Sequence, residues 1–407
     1  MRKETSNSGW KNASLFLAAL ILAVTAQACG GPSKKGATGP KAASAEEDAT
    51  QALAQAIEAE KAGDVDVAQR QYQRAREMRP QHLETAERFT RFLIAQRRAE
   101  EAVEEAKEFL DQSLNELRGY YLLAEAQVAA GDYAGASDTV SQLIELDGTD
   151  AGAFARRGEI AVKQKKFDEA LADIRRAIEM SPDKPDYRVV LGKALQEAGD
   201  LDGAAKELAA VVKEHPEHVG AHLAYGAVLR SQRKLDDAFA LHKKAVELAG
   251  EDPMTHYELG ISQFYLGNSE EAEASLKRAA ELGPDDAQIR YVYGEVLRNL
   301  KRYEESAQRY REALERDPGH DKAATKLGLV LTYLDKMDEA NNVLQARITG
   351  HPEDAEAHYL LGTIYEKQEK YAEAVAAYDK FLEIAPEGDA NADDARKRVR
   401  ALKRKLK

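Results

Sequence analysis

The chain has 407 residues, 43% hydrophobic and 32% charged, with a net charge of −13. That balance describes a water-facing, helix-biased chain, and its acid excess argues against general nucleic-acid binding. One cysteine excludes an internal disulfide framework.

Residues 1–28 read as an export signal. Arg2, Lys3 and Lys11 supply a positive end, and residues 15–24 (LFLAALILAV) form an apolar run too short to span a bilayer comfortably. Ala26-Gln27-Ala28 then precedes Cys29, the sole cysteine. Two readings stay open. An ordinary signal peptidase would cut after Ala28 and release a periplasmic protein. The stretch also resembles a bacterial lipoprotein signal, which implies lipid attachment at Cys29 and a membrane anchor. Residue 30 is Gly, not the Asp of inner-membrane retention, which points to the outer membrane rather than the outer leaflet of the inner one. Residues 29–49 have the Gly, Pro, Ser and Ala composition of a disordered tether. Gly31, Gly36 and Thr38 fail as a phosphate loop, because Ala37 stands where lysine is required.

From about residue 50 to 388 the chain repeats every 34 residues. Gly158, Gly192, Gly226, Gly260, Gly294, Gly328 and Gly362 form one column. Ala170, Ala204, Ala238, Ala272, Ser306, Ala340 and Ala374 form a second, twelve residues on. Pro182, Pro216, Pro284, Pro318, Pro352 and Pro386 form a third. Each period holds two amphipathic helices. In the last unit, 355–388, Leu361, Gly362 and Tyr365 mark the buried side of the first helix, and Tyr371, Ala374, Tyr378 and Phe381 that of the second. The ten units run 49–82, 83–116, 117–150, 151–184, 185–218, 219–252, 253–286, 287–320, 321–354 and 355–388.

These columns resemble the tetratricopeptide repeat (TPR). The resemblance implies an all-α fold: a right-handed α-solenoid of about ten helix-turn-helix repeats whose first helices line a concave face. In the second unit Thr90 replaces glycine, Ala106 and Phe109 exchange sizes, and Leu114 stands for proline. In the ninth, Arg347 replaces a small residue, which predicts an irregular stretch over 341–350. Gly63-Asp64, Gly131-Asp132, Gly199-Asp200 and Gly267-Asn268 read as turns in which glycine ends one helix and Asp or Asn caps the next. Residues 389–407 start acidic and end with eight basic residues between Arg396 and Lys407. Val399, Leu402 and Leu406 share one helical face, so this reads as a capping helix, with a basic tail that touches an acidic partner or anionic lipid as the functional alternative.

His215, His218 and His222 straddle a turn containing Pro216 and read as solvated turn residues, not metal ligands. No nucleophile–base or metal-hydrolase motif appears, so neither an enzyme, a cofactor nor a small-molecule substrate is expected. Function then falls to the concave face. Family geometry places Met254, Tyr257, Ile261, Phe264 and Tyr265 there in the seventh unit. Tyr291, Arg298 and Asn299 follow in the eighth, Tyr333 in the ninth and Tyr359 in the tenth. The equivalent positions in the fourth to sixth units are plainer: Gly152, Ala155, Val189, Leu223 and Ala227. An aromatic and Met-rich face suits a protein or peptide partner. The sequence therefore reads as a lipid-anchored envelope scaffold, with a non-catalytic regulatory subunit of an envelope enzyme as the alternative.

Overall fold

The computed structural model describes residues 40–320 and 322–407, with side chains from Glu46 onward. Among these residues there are twenty-one helices and no strand. They pair along the chain: α1 (Pro40–Lys61) with α2 (Val65–Met78), α3 (Leu83–Ala95) with α4 (Ala99–Gln112), α5 (Leu117–Ala129) with α6 (Tyr133–Leu146) and α7 (Ala151–Lys163) with α8 (Phe167–Met180). Next come α9 (Pro185–Glu197) with α10 (Leu201–Glu214), α11 (Val219–Ser231) with α12 (Leu235–Leu248) and α13 (Pro253–Tyr265) with α14 (Ser269–Leu282). Then follow α15 (Ala287–Asn299) with α16 (Tyr303–Arg316), α17 (Ala323–Tyr333) with α18 (Met337–Gly350), α19 (Ala355–Lys367) with α20 (Tyr371–Ile384), and finally α21 (Ala392–Lys405).

The chain divides into two compact units, one ending at Thr85 and the other running from Ala86 to Lys407. In the first, α1 buries Ala52, Leu53 and Ala56 while α2 buries Ala68, Tyr72 and Ala75. α1 reaches back to Pro40, inside the stretch 29–49 expected to be disordered. Proline is tolerated in a helix's first turn, where its missing N–H has no partner to lose, and the Ala- and Glu-rich sequence after it favours helix. Cys29, the signal 1–28 and residues 29–39 lie outside the described residues.

In the second unit the glycine column has a direct steric cause. A Cβ on Gly158 would sit 2.6 Å from Ile174, on Gly192 2.4 Å from Leu208, and on Gly260 2.7 Å from Leu276. On Gly294 and Gly362 it would meet the rings of Tyr310 and Tyr378, at 2.7 Å and 2.6 Å. Each glycine thus receives the large side chain that lies sixteen residues later on the paired helix. The Ala170 to Ala374 column is fully buried at the same crossing. Small residues let the two helices approach so that larger neighbours interlock. Ala106 and Phe109, the exchanged pair in α4, are both fully buried, so the swap conserves volume rather than opening a void.

The turns inside the units share one left-handed position. Gly63, Gly131, Gly199 and Gly267 occupy it with φ of 76–87°. Arg97, Lys165, Arg233, Lys301, Asp335 and Glu369 occupy the same position at φ of 59–63°. Asp64, Asp132 and Asp200 then cap the following helix through their carboxylates. Asn268 makes no such bond, which corrects the expectation for that turn.

α18 is continuous from Met337 to Gly350, correcting the expected irregular stretch. Arg347 is accommodated because its largely buried guanidinium is paired. Its Nε donates to Asp354 Oδ2 at 2.8 Å, and that carboxylate also accepts from Thr325 Oγ1 at 2.8 Å. Burial opposes the charge on Asp354. Arg347, Thr325 and the Ala357 N–H together outweigh burial and hold its pKa below the usual carboxylate range.

Candidate partner-binding face

Successive first helices touch one another, α7 with α9, α9 with α11 and α11 with α13, so their outward sides form a shared surface. A groove of about 840 Å³ runs along this surface from α5 to α13. One column, 34 residues apart, threads it: Arg156, Val190, Ala224 and Glu258. Ile160, Leu223, Ala227 and Met254 add an apolar floor. Lys163, Lys165 and Lys193 stand on the rim and are exposed. Among the described residues none of these three lysines has an ion-pair partner. Arg156 pairs with Glu159 at 3.2 Å and Arg230 with Glu258 at 2.5 Å, while Glu197 also lines the groove, exposed and without an ion-pair partner among the described residues, so the three lysines leave the rim net positive.

His242 supports the groove from beneath. It is fully buried in α12, at the position where other units carry Leu, Ile or Tyr against their glycine. Its Nδ1 lies 2.6 Å from Ser262 Oγ and its Nε2 3.2 Å from the Leu223 carbonyl. Burial lowers its pKa, which favours the neutral ring. The histidine therefore ties α12 to α11 and α13, the two helices that carry Leu223 and Met254. His222, expected to be a solvated turn residue, is buried instead. Its Nε2 donates to the Pro216 carbonyl at 2.8 Å, closing the turn between units. His256 and His358 repeat that bond to Gly250 and Pro352.

The ten residues expected on the concave face divide by what they touch, and Ile261 packs partly buried against the core. Met254 is 38% exposed and lines the groove. Tyr265, 52% exposed, lies beside it through Arg230, whose guanidinium sits 6.0 Å from the ring centroid while pairing with Glu258. Tyr257 is buried, and its hydroxyl accepts from Gln288 at 3.2 Å. Phe264 packs partly buried into the core around Leu276. Arg298 binds Glu295 at 2.8 Å, and Asn299 accepts from Ser269 at 2.9 Å. Tyr359 donates to Asp394 at 2.8 Å and packs on Tyr378 and Phe381. Tyr291 lies 4.7 Å from His320 and 5.9 Å from Tyr310, at the edge of two smaller cavities of about 370 and 450 Å³. Tyr333 is 53% exposed, its ring 5.0 Å from Tyr303. Met254, Tyr265 and Tyr333 thus offer free surface, whereas Tyr257, Arg298, Asn299 and Tyr359 are engaged within the array.

Sequence reasoning missed the column Arg156, Val190, Ala224 and Glu258. It is the sixth position of each unit, one past the fifth, which family geometry assigns to the face. Val189, at the fifth, is 5% exposed and belongs to the core.

The tetratricopeptide repeat pattern matches residues 53–113, 121–185, 257–321 and 325–389, and a second pattern of the same description matches 161–226. The chain belongs to the tetratricopeptide repeat family. TPR arrays of this kind are scaffolds that bind proteins or peptides, and no enzyme family is indicated. No curated protein matches the chain. Among solved structures it is similar to the APC/C hetero-tetramer Cut9–Hcn1, with 14% identity, 86% of this chain and 76% of that one covered, and a TM-score of 0.55. That likeness shows the fold alone. A thermophilic TPR protein of Thermus thermophilus is 23% identical, covering 45% of this chain and 99% of that one, with a TM-score of 0.41. YrrB, described as a TPR protein with an unusual peptide-binding site, is 24% identical over 47% of this chain and 99% of its own, also with a TM-score of 0.41.

Proposed function

We propose that this TPR protein is a lipid-anchored scaffold of a bacterial envelope, holding a segment of a protein partner in the groove between α5 and α13. The observation that carries the binding site is that groove: an apolar floor with three unpaired lysines on its rim. Such a surface suits an extended or helical segment with apolar anchors and acidic flanks. Met254 and Tyr265 continue the path to the end of α13 in the seventh unit. Cys29 after the apolar run 15–24 supports the anchor, at the outer membrane, with the repeats in the periplasm or at the surface. Assembly of a secretion or pilus complex is the process this address and fold suit by analogy. Regulation of an envelope enzyme by the same groove is the second reading.

Anchor and groove are tested separately. Labelled fatty acid should enter the wild-type protein and not Cys29→Ala, and the variant should leave the membrane fraction. Full solubility of unlabelled wild type removes the anchor. Membrane extracts passed over the immobilised protein should yield a partner whose capture is lost with Leu223→Glu. Capture indifferent to Leu223 removes the groove.

A further inference from the structure

The packed side of α21 is short and small: Ala395, Val399 and Leu402 are buried against α20. Its cations divide by what holds them. Arg396 pairs with Asp393 at 2.7 Å, Arg398 with Glu366 at 2.8 Å, and Lys403 with Asp379 at 3.0 Å. Lys405 sits over the Tyr371 ring at 4.6 Å. Lys397, Arg400, Arg404 and Lys407 remain, all exposed and, among the described residues, without an ion-pair or ring partner. Lys397, Arg400 and Arg404, three and four residues apart, share one face, opposite the packed one, and Lys407 follows just past the helix end at Lys405. The helical part of this stripe, Lys397 to Arg404, is about 10 Å long at 1.5 Å per residue. No acidic residue follows Asp394.

The helix dipole accounts for cations in the last turn only, so Lys397 and Arg400 are unexplained by it. A protein partner would need a cleft for buried anchors, and α21 borders none of the cavities described above. Aromatic rings for stacking bases are missing from 392–407. What fits is a broad anionic surface that needs charge and no pocket.

We infer that the exposed face of α21 binds anionic lipid headgroups at a membrane surface. This contact is independent of the groove and does not require the lipid at Cys29. In a chain of net charge −13 it is a local reversal of sign, and it would fix the last unit against the bilayer through headgroup charge.

The test is co-sedimentation of the full chain with vesicles of phosphatidylcholine alone and with phosphatidylglycerol added. The apolar run 15–24 contributes to every arm and cancels in the comparison. Wild type should bind the anionic vesicles on the order of a hundredfold more tightly than the variant carrying Lys397→Gln, Arg400→Gln, Arg404→Gln and Lys407→Gln. The excess should shrink as salt rises. Helix content by circular dichroism must match between the two, and Lys403→Gln, which removes a paired cation instead, should lose little. Equal binding of wild type and the quadruple variant, or indifference to phosphatidylglycerol, overturns the inference. So would retention of the variant's full loss in protein-only capture, where an acidic protein replaces the vesicle. Failure of Cys29 labelling would leave this result untouched.

Discussion

The fourth to sixth units and the seventh to tenth units solve the same packing problem with different side chains. In the later units aromatic rings share the filling with leucine: Tyr310 and Tyr378 meet Gly294 and Gly362, Leu276 and Leu344 meet Gly260 and Gly328, and Tyr359 clamps α21 through Asp394. In the earlier units Ile174, Leu208 and His242 meet theirs, and the facing surface keeps Val190, Ala224 and Ala227. The aromatic-rich region has spent much of its aromatic surface on itself. The plainer region leaves a groove because its side chains are too small to close it. Aromatic content on a repeat's inner face therefore measures binding capacity only after packing has taken its share.

The largest predicted effect separates the two cores. A Cβ on Gly226 would fall 2.2 Å from His242 Nε2, and His242 also holds Ser262 and Leu223. Gly226→Val should cost about 3 kcal/mol, at the upper end for overpacking. Gly260→Val, against Leu276, should cost about 1–3 kcal/mol. Because contacts are between neighbours, hydrogen exchange should rise in the altered unit and its neighbours alone. Uniform loss of protection from 86 to 388 would contradict this.

Asp354 gives the next effect, in the later units. Asp354→Asn should cost about 2–3 kcal/mol, because Arg347 is left partly buried without its charge partner. The native pKa is depressed, so the contribution is present above the unfolded value of about 3.9 and lost as pH falls through the native one. Acid titration of stability should thus be steeper in wild type than in the variant below about pH 4. Parallel curves would remove the carboxylate from the account.

Smaller effects sit at the left-handed turn positions. Lys165→Gly and Lys301→Gly should each stabilise by about 0.5–1 kcal/mol, since glycine relieves the backbone more than its chain entropy costs. Only Lys165 borders the groove, so only its replacement should also weaken partner binding. Equal binding losses, or none, would blur the distinction between the regions. Thermal denaturation and titration with the partner read the two quantities. Tyr359→Phe should be the mildest, about 1 kcal/mol for one hydroxyl to Asp394, with binding unchanged.

The repeat frame was legible because glycine, alanine and proline recur under hard steric constraints, each at a fixed point of the helix pair. The left-handed turn was legible at Gly63, Gly131, Gly199 and Gly267 and hidden at the six other units, where Arg, Lys, Asp or Glu adopts φ near 60° under tertiary constraint. The start of α1 at Pro40 was hidden because Pro, Ala and Lys serve a helix start and a tether alike. The groove left no mark of its own. At the sixth position Val190 and Ala224 look like core, and Arg156 and Glu258 like ordinary surface charge, until neighbouring helices set them in one column.

The central claim is that the groove of the third to seventh units, and not the aromatic face beyond it, holds the partner. Its direct test is partner affinity measured for three folded proteins: wild type, Val190→Glu with Leu223→Glu, and Phe264→Ala with Tyr291→Ala. Buried anchors commonly carry about 2 kcal/mol or more, so the groove pair should lose about a hundredfold and the aromatic pair about threefold or less. A loss of about a hundredfold in the aromatic pair, with the groove pair binding like wild type, would contradict it.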